Sequence, residues 1–295
     1  MNNIVRILAF DNTVLGVAVD STEIVRAAQD IHRLSHVATA ALGRTLTAAV
    51  MMASDFKGEN DTLTVQLKGD GPLGGILAVA DAHCNVKGYV NNPNVDLPPN
   101  SKGKFDVAGA VGKNGYLNVI KDLGFGEPYI GNVELVSGEV AEDFAHYYAV
   151  SEQIPSAVAL GVLIGKDGIV EKAGGYMIHL MPGADDKTAQ FIDSGVRLFS
   201  SVTELLSEGN SHTDILKLIF GSDSYKIISE KSGKYNCNCS RDRMERNLLT
   251  LGQKDLAELC EDVNGIELCC HFCNNRYHFS QVDTNKILQE SIVAK

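Results

Sequence analysis

A chain of 295 residues, 44% hydrophobic and 21% charged, is long enough to bury a substantial core and to form two soluble domains. Its formal net charge of -11 disfavours DNA or RNA as the main partner, because phosphate binding needs clustered Lys and Arg. No apolar run approaches the ~20 residues of a membrane span. The opening stretch Met1 to Leu15 has no signal-peptide pattern, so the expectation is a cytosolic protein that engages neither nucleic acid nor membrane.

Two apolar runs, Ile4 to Phe10 and Val14 to Val19, flank Asp11-Asn12-Thr13 and predict a hairpin. Asp20 followed by Glu23 marks a helix start, with Ile24, Ala27, Ala28 and Ile31 at helical spacing. Val37 to Ala53, small and apolar nearly all round, predicts a buried helix. Strands are expected at Thr62–Lys68, Ile76–Ala80, Val86–Val90, Tyr116–Ile120, Tyr129–Val136, Ala157–Ile164 and Gly175–Leu180, with a helix over Glu139–Val150. The run Gly69 to Gly75 opens a strand rather than a helix, which makes it a turn and not a phosphate cradle. Residues 1–181 thus form an α+β domain built on antiparallel sheet.

Beyond Met181-Pro182-Gly183 the character changes. Asp185 to Leu206 is strongly helical, with Ile192, Val196, Phe199, Val202 and Leu206 along one side, and His212 to Phe220 makes a shorter helix. This linker, residues 182–230, is too small for a core of its own and must dock elsewhere. From residue 231 to 295 the chain is polar and rich in cysteine.

Six of the seven cysteines lie in that tail. Cys237-Asn238-Cys239 is a C-x-C and Cys270-His271-Phe272-Cys273 a C-x-x-C, with residues 240–269 between them. Each short spacing lets one turn supply two thiolates, and two such turns close a tetrahedral zinc site. A domain of that size with few large apolar groups needs such a staple. Pairing through Cys269 would give a C-x-x-x-C, so Cys270 is taken as the ligand. Cys269, Cys260 and Cys84 are assigned packing or incidental roles. His271 and His278 flank the second turn and are weaker ligand candidates. His32, His36, His146 and His179 show no ligand pairing.

Nothing marks an enzyme: no nucleophile elbow, Walker loop or HExxH is present. Met51-Met52 fits a core. Two other functions compete. A zinc-ribbon nucleic-acid module would use Arg241, Arg243 and Arg246, against the overall charge. A thiol–disulfide oxidoreductase would place its C-x-x-C at a helix start, whereas here Ile266-Glu267-Leu268 and Tyr277-His278-Phe279 predict strand–turn–strand.

The segment from Cys237 to Arg241, the Cys270–Cys273 turn and Tyr277-His278-Phe279 closely resemble the C-terminal redox-switch domain of the bacterial 33-kDa heat shock chaperonin family. Leu63 to Pro72 and the stretch from Gly174 to Pro182 resemble it too, so the likeness spans essentially the whole chain. It implies a redox-regulated, ATP-independent holdase that is not an enzyme. Its reduced form holds one zinc on Cys237, Cys239, Cys270 and Cys273 and is inactive. Its oxidised form has lost zinc, pairs Cys237 with Cys239 and Cys270 with Cys273, partly unfolds, and binds unfolding or damaged client proteins. A homodimer on activation is compatible with this resemblance. Within such a scheme the very small Cys237–Cys239 ring would depart from preferred disulfide geometry and be readily reduced again.

Overall fold

The computed structural model describes residues 3–101, 103–199, 201–221 and 225–293. Strands β1 (Ile4–Ala9) and β2 (Val14–Asp20) form the expected hairpin. Its tip is a run of left-handed residues, Phe10, Asp11 and Asn12, at φ 51°, 53° and 68°. Asp20 then stops the strand by accepting a hydrogen bond from the Thr22 backbone N–H at 3.0 Å, at the start of α1 (Thr22–His32). Helix α2 (His36–Ala53) follows, its N-terminus capped by the Ser35 hydroxyl. All of its residues are buried except His36 and Arg44. Its threonines stay in that apolar setting because their hydroxyls return to backbone carbonyls one turn back, as Thr45 does to Ala41 at 2.9 Å.

The remaining elements of the larger part are β3 (Thr62–Lys68), β4 (Ile76–Asp81), β5 (Asn85–Val90), α3 (Val107–Val111), β6 (Tyr116–Asp122), β7 (Tyr129–Glu134) and α4 (Val140–Tyr147). The predicted helix over 139–150 is α4 continued by one π-helical turn to Glu152. Next come β8 (Ser156–Ile164), β9 (Val170–Leu180), α5 (Asp186–Leu198), α6 (Val202–Ser207), α7 (His212–Phe220), β10 (Tyr225–Lys231) and β11 (Lys234–Tyr235). One sheet has the order β10-β1-β2-β9-β8, antiparallel throughout. The other runs β11-β5-β4-β3-β6-β7, antiparallel except for the parallel β11–β5 pair. Helix α2 packs on strands of both sheets, and the main core forms around it.

The central strands of the first sheet are buried on both faces, which is why β2 is an almost unbroken apolar run. Val17 and Val19 face α2, while Val14 and Ala18 join Val5, Ile7, Ala9, Tyr176 and Ile178 on the opposite face. There the helical layer docks, burying Ile192, Val202, Leu206, Ile215, Leu216, Ile219 and Phe220. Gly16 makes this close approach possible: a Cβ on it would stand 2.8 Å from the Phe220 ring. The single helical stretch expected over 185–206 is two helices. Phe199 leaves helical geometry at φ -113°, and Ser200 lies outside the described residues. The break lets Ile192 of α5 and Val202 and Leu206 of α6 all reach the sheet.

The chain divides into two compact units, residues 1–236 and 237–295. The second contains α8 (Arg241–Leu249), α9 (Gln253–Cys260), the hairpin β12 (Ile266–Cys269) and β13 (Arg276–Phe279), and α10 (Gln281–Val293). Its core is small: Met244, Leu248, Leu256, Cys270, Phe279 and Ile287 are the buried members. The predicted α+β class with antiparallel sheets, helices and a cysteine cluster is the architecture found.

Candidate metal centre

Four side chains from two turns meet in the second unit. Ser240 caps α8, its hydroxyl accepting from the Arg243 N–H at 3.2 Å, and this fixes the chain directly after the C-x-C. Arg243 also donates to the Asn238 side chain, between the two cysteines, at 2.9 Å. The C-x-x-C sits in the tight connection between β12 and β13. Cys270 N–H donates to Asn275 O at 2.9 Å, and Asn274 N–H returns to Cys270 O at 2.8 Å. Asn274 itself holds φ 56°, a left-handed position that Asn tolerates better than most residues.

The sulfurs of Cys237, Cys239, Cys270 and Cys273 all lie within 4.8 Å of one another. Cys237 Sγ is 3.7 Å from Cys270 Sγ, and Cys239 Sγ is 3.2 Å from Cys273 Sγ. A tetrahedral ion with Zn–S bonds of ~2.3 Å has an edge of ~3.8 Å, so this set fits a zinc ion with little adjustment. Among the described residues this is the one such group of potential ligands, and neither His271 nor His278 belongs to it. The His278 ring instead contacts the Asn264 carbonyl at 3.0 Å. Cys270, not Cys269, points into the cluster: Cys270 is buried while Cys269 is exposed at the end of β12. Cys260 is buried on α9, and Cys84 is buried in the β4–β5 turn, where burial pushes its thiol up to about 11.

The four thiols are unequal. Burial raises Cys237 and, more strongly, Cys273. Burial also opposes the Cys239 thiolate, but hydrogen bonds from Tyr277, Cys273 and the other two thiols outweigh it and bring Cys239 to about 7. The Tyr277 hydroxyl lies 3.0 Å from Cys239 Sγ, and that bond raises its own pKa to about 12. Cys239 thus loses its proton easily, while Cys237 and Cys273 give theirs up only against a cation.

Two supporting residues escaped the spacing argument. Nothing in the pattern Tyr277-His278-Phe279 marks Tyr277 as a sulfur partner. Arg241 is the larger omission. Its guanidinium donates to the His278 carbonyl, pairs with Asp283 at 3.0 Å and stacks 4.2 Å above the Phe279 ring. It thereby ties the start of α8 to β13 and α10. A cation–aromatic contact across elements leaves no periodic trace, so only the tertiary structure reveals it.

Fold and centre together define an α+β protein of two units whose smaller unit is organised around four converging thiols. The chain belongs to the Hsp33 protein family, which it matches over residues 2–280. It is 52% identical to the 33 kDa chaperonin of Acetivibrio thermocellus over 97% of this chain and 96% of that one. It is 51% identical to the 33 kDa chaperonin of Ruminiclostridium cellulolyticum, covering 98% of each. The crystal structure of the 33 kDa chaperonin (heat shock protein 33 homolog) from Thermotoga maritima superposes with a TM-score of 0.90 at 36% identity, over 99% of this chain and all of that one. No helix among the described residues is long and apolar enough to cross a membrane.

Proposed function

We propose that the protein is an ATP-independent holdase chaperone whose capture of unfolding or oxidatively damaged clients is switched by the oxidation state of Cys237, Cys239, Cys270 and Cys273. The observation that carries this reading is the convergence of four thiols in a unit with so small an apolar core. Zinc, when bound, supplies the cross-link between the two turns and favours all four sulfurs as thiolates. The reduced, zinc-loaded protein is the closed and inactive form.

Peroxide oxidises the thiolates in pairs, each pair giving up two electrons to form a disulfide, while one peroxide takes those electrons and two protons from solvent to become two waters. The shortest sulfur separations run between the turns, Cys239 to Cys273 and Cys237 to Cys270. The family resemblance instead implies Cys237 with Cys239 and Cys270 with Cys273 in the oxidised form, partners that meet once the unit opens. Losing the cross-link unfolds the second unit, since structural zinc contributes roughly 10–16 kcal/mol. In this reading residues 1–181 are the chaperone core, 182–230 the linker and 231–295 the switch, with the correction that the compact switch unit begins at Cys237, because β10 and β11 pair into the sheets of the first unit. A cytosolic setting, where thiols are reduced at rest, suits such a device.

The test is zinc content before and after peroxide at raised temperature, measured beside suppression of aggregation of a model client. Zinc release that coincides with gain of suppression supports the switch. Equal suppression by the reduced, zinc-loaded protein refutes it. An insulin-reduction assay separates this reading from a disulfide oxidoreductase.

A further inference from the structure

In chain order β10 follows α7 and precedes the first cysteine turn, and it is the outermost strand of the first sheet. It pairs with β1 from Ile4↔Lys231 to Ala9↔Tyr225, with a register shift that leaves Ile228 unmatched. None of its residues is buried, and Ile227 and Ile228 are 43% and 39% exposed. Its partner differs: Ile4, Val5, Ile7 and Ala9 of β1 are all buried. A backbone ladder therefore does most of the holding. A polar clasp at the strand's end adds to it, with Lys231 donating to the Phe56 and Ala82 carbonyls and Gly233 N–H to the Asn3 side chain at 2.7 Å. Water can replace each of these bonds, so their net contribution is modest.

We propose that the outer edge of β1, covered by β10 in the closed protein, is the acceptor for an extended segment of a non-native polypeptide. This rests on the chaperone reading above and specifies the chemistry of capture. An open strand edge offers N–H and C=O groups that any extended backbone satisfies, whatever its sequence. Selectivity comes from alternate side chains. Tyr225 packs with the helical-layer core, on the face where β1 places Val5, Ile7 and Ala9. The segment accepted is thus an extended strand with a large apolar side chain at the position Tyr225 fills, as a strand exposed by unfolding can supply. β10 is the stand-in for that segment in the closed form. The outer edges of β7 and β8 have no strand beside them among the described residues, so nothing of this kind gates them.

The experiment is hydrogen exchange on the full chain in three states: reduced with zinc, oxidised, and oxidised with urea-unfolded maltose-binding protein, which has no cysteines. The β1 amides turned toward β10 are expected to exchange at least about tenfold faster on oxidation and to regain protection when the probe is added. The β9 amides remain protected throughout and report that the sheet is intact. Oxidised protein that binds the probe while β1 stays protected, or stays open, overturns the edge proposal and leaves the chaperone reading standing. Oxidised protein that neither binds the probe nor suppresses its aggregation overturns both. A second arm uses the double substitution Lys226→Pro and Ile227→Pro, at two exposed neighbours of which strand alternation turns one N–H toward β1, so that a ladder donor is removed. Reduced, zinc-loaded variant with β9 protected and β1 open should bind the probe, and failure to do so refutes the assignment.

Discussion

Truncating Phe220 to alanine should undock the helical layer without touching the main core. Phe220 is 1% exposed, lies over Gly16, and meets the Phe10 ring edge-on at 6.0 Å. Phe→Ala in a core costs about 3–5 kcal/mol, depending on how well the surroundings collapse into the space. Collapse is poor here, because the surface beneath the ring is Gly16, which has no side chain to move. The upper half of that range is therefore expected. At 1.36 kcal/mol per tenfold, local opening of α5–α7 rises by roughly three orders of magnitude. The assay is hydrogen exchange on reduced, zinc-loaded protein. Amides of α7 should lose protection while those of α2 keep theirs, and the reduced variant should begin to suppress client aggregation. If α7 and α2 lose protection together, the layer is not a separately docked element. If α7 opens and the reduced protein stays inactive, burial of this layer is not what holds the chaperone off.

Four further outcomes are expected. Cys270→Ser should abolish tight zinc binding while Cys269→Ser and Cys260→Ser retain it, measured by zinc content after dialysis; the reverse result would reassign the ligand. Arg241→Ala should destabilise the second unit by about 1–3 kcal/mol through loss of a charged hydrogen bond and a cation–π contact, seen as faster zinc release to a chelator. Exhaustive chelation under reducing conditions should unfold residues 237–293 and leave both sheets of the first unit protected apart from β10 and the β1 edge it covers; uniform loss of protection would contradict two independent units. His179 is held neutral, its pKa lowered from 6.5 to about 4 by burial and then by the Arg6 charge. Because the folded value lies below the unfolded one, this stability is complete above pH 6.5 and is lost as pH falls toward 4. The loss is about 3 kcal/mol at most. Urea unfolding of the first unit between pH 7 and 4 should show it, and His179→Gln should flatten that part of the profile.

The sequence alone located most of the first unit, because period-2 alternation and helical spacing are local consequences of which face is buried. Strands β3 and β4, and the all-round small-residue helix α2, lie where pattern places them. It also named the four cysteines, since tetrahedral sulfur chemistry demands paired ligands at short spacing. Three things it did not yield. β10 was missed because its side chains are only half-buried or exposed, so it carries no apolar rhythm, and what makes it a strand is the unpaired edge of β1. The break at Phe199 is set by the surface on which α5 and α6 must both land, not by their own helical periodicity. The role of Arg241 depends on β13 and α10 arriving beside α8. Local pattern records what each segment needs to bury, while the partner that buries it, and the charges and edges left over, are decided only when distant segments meet.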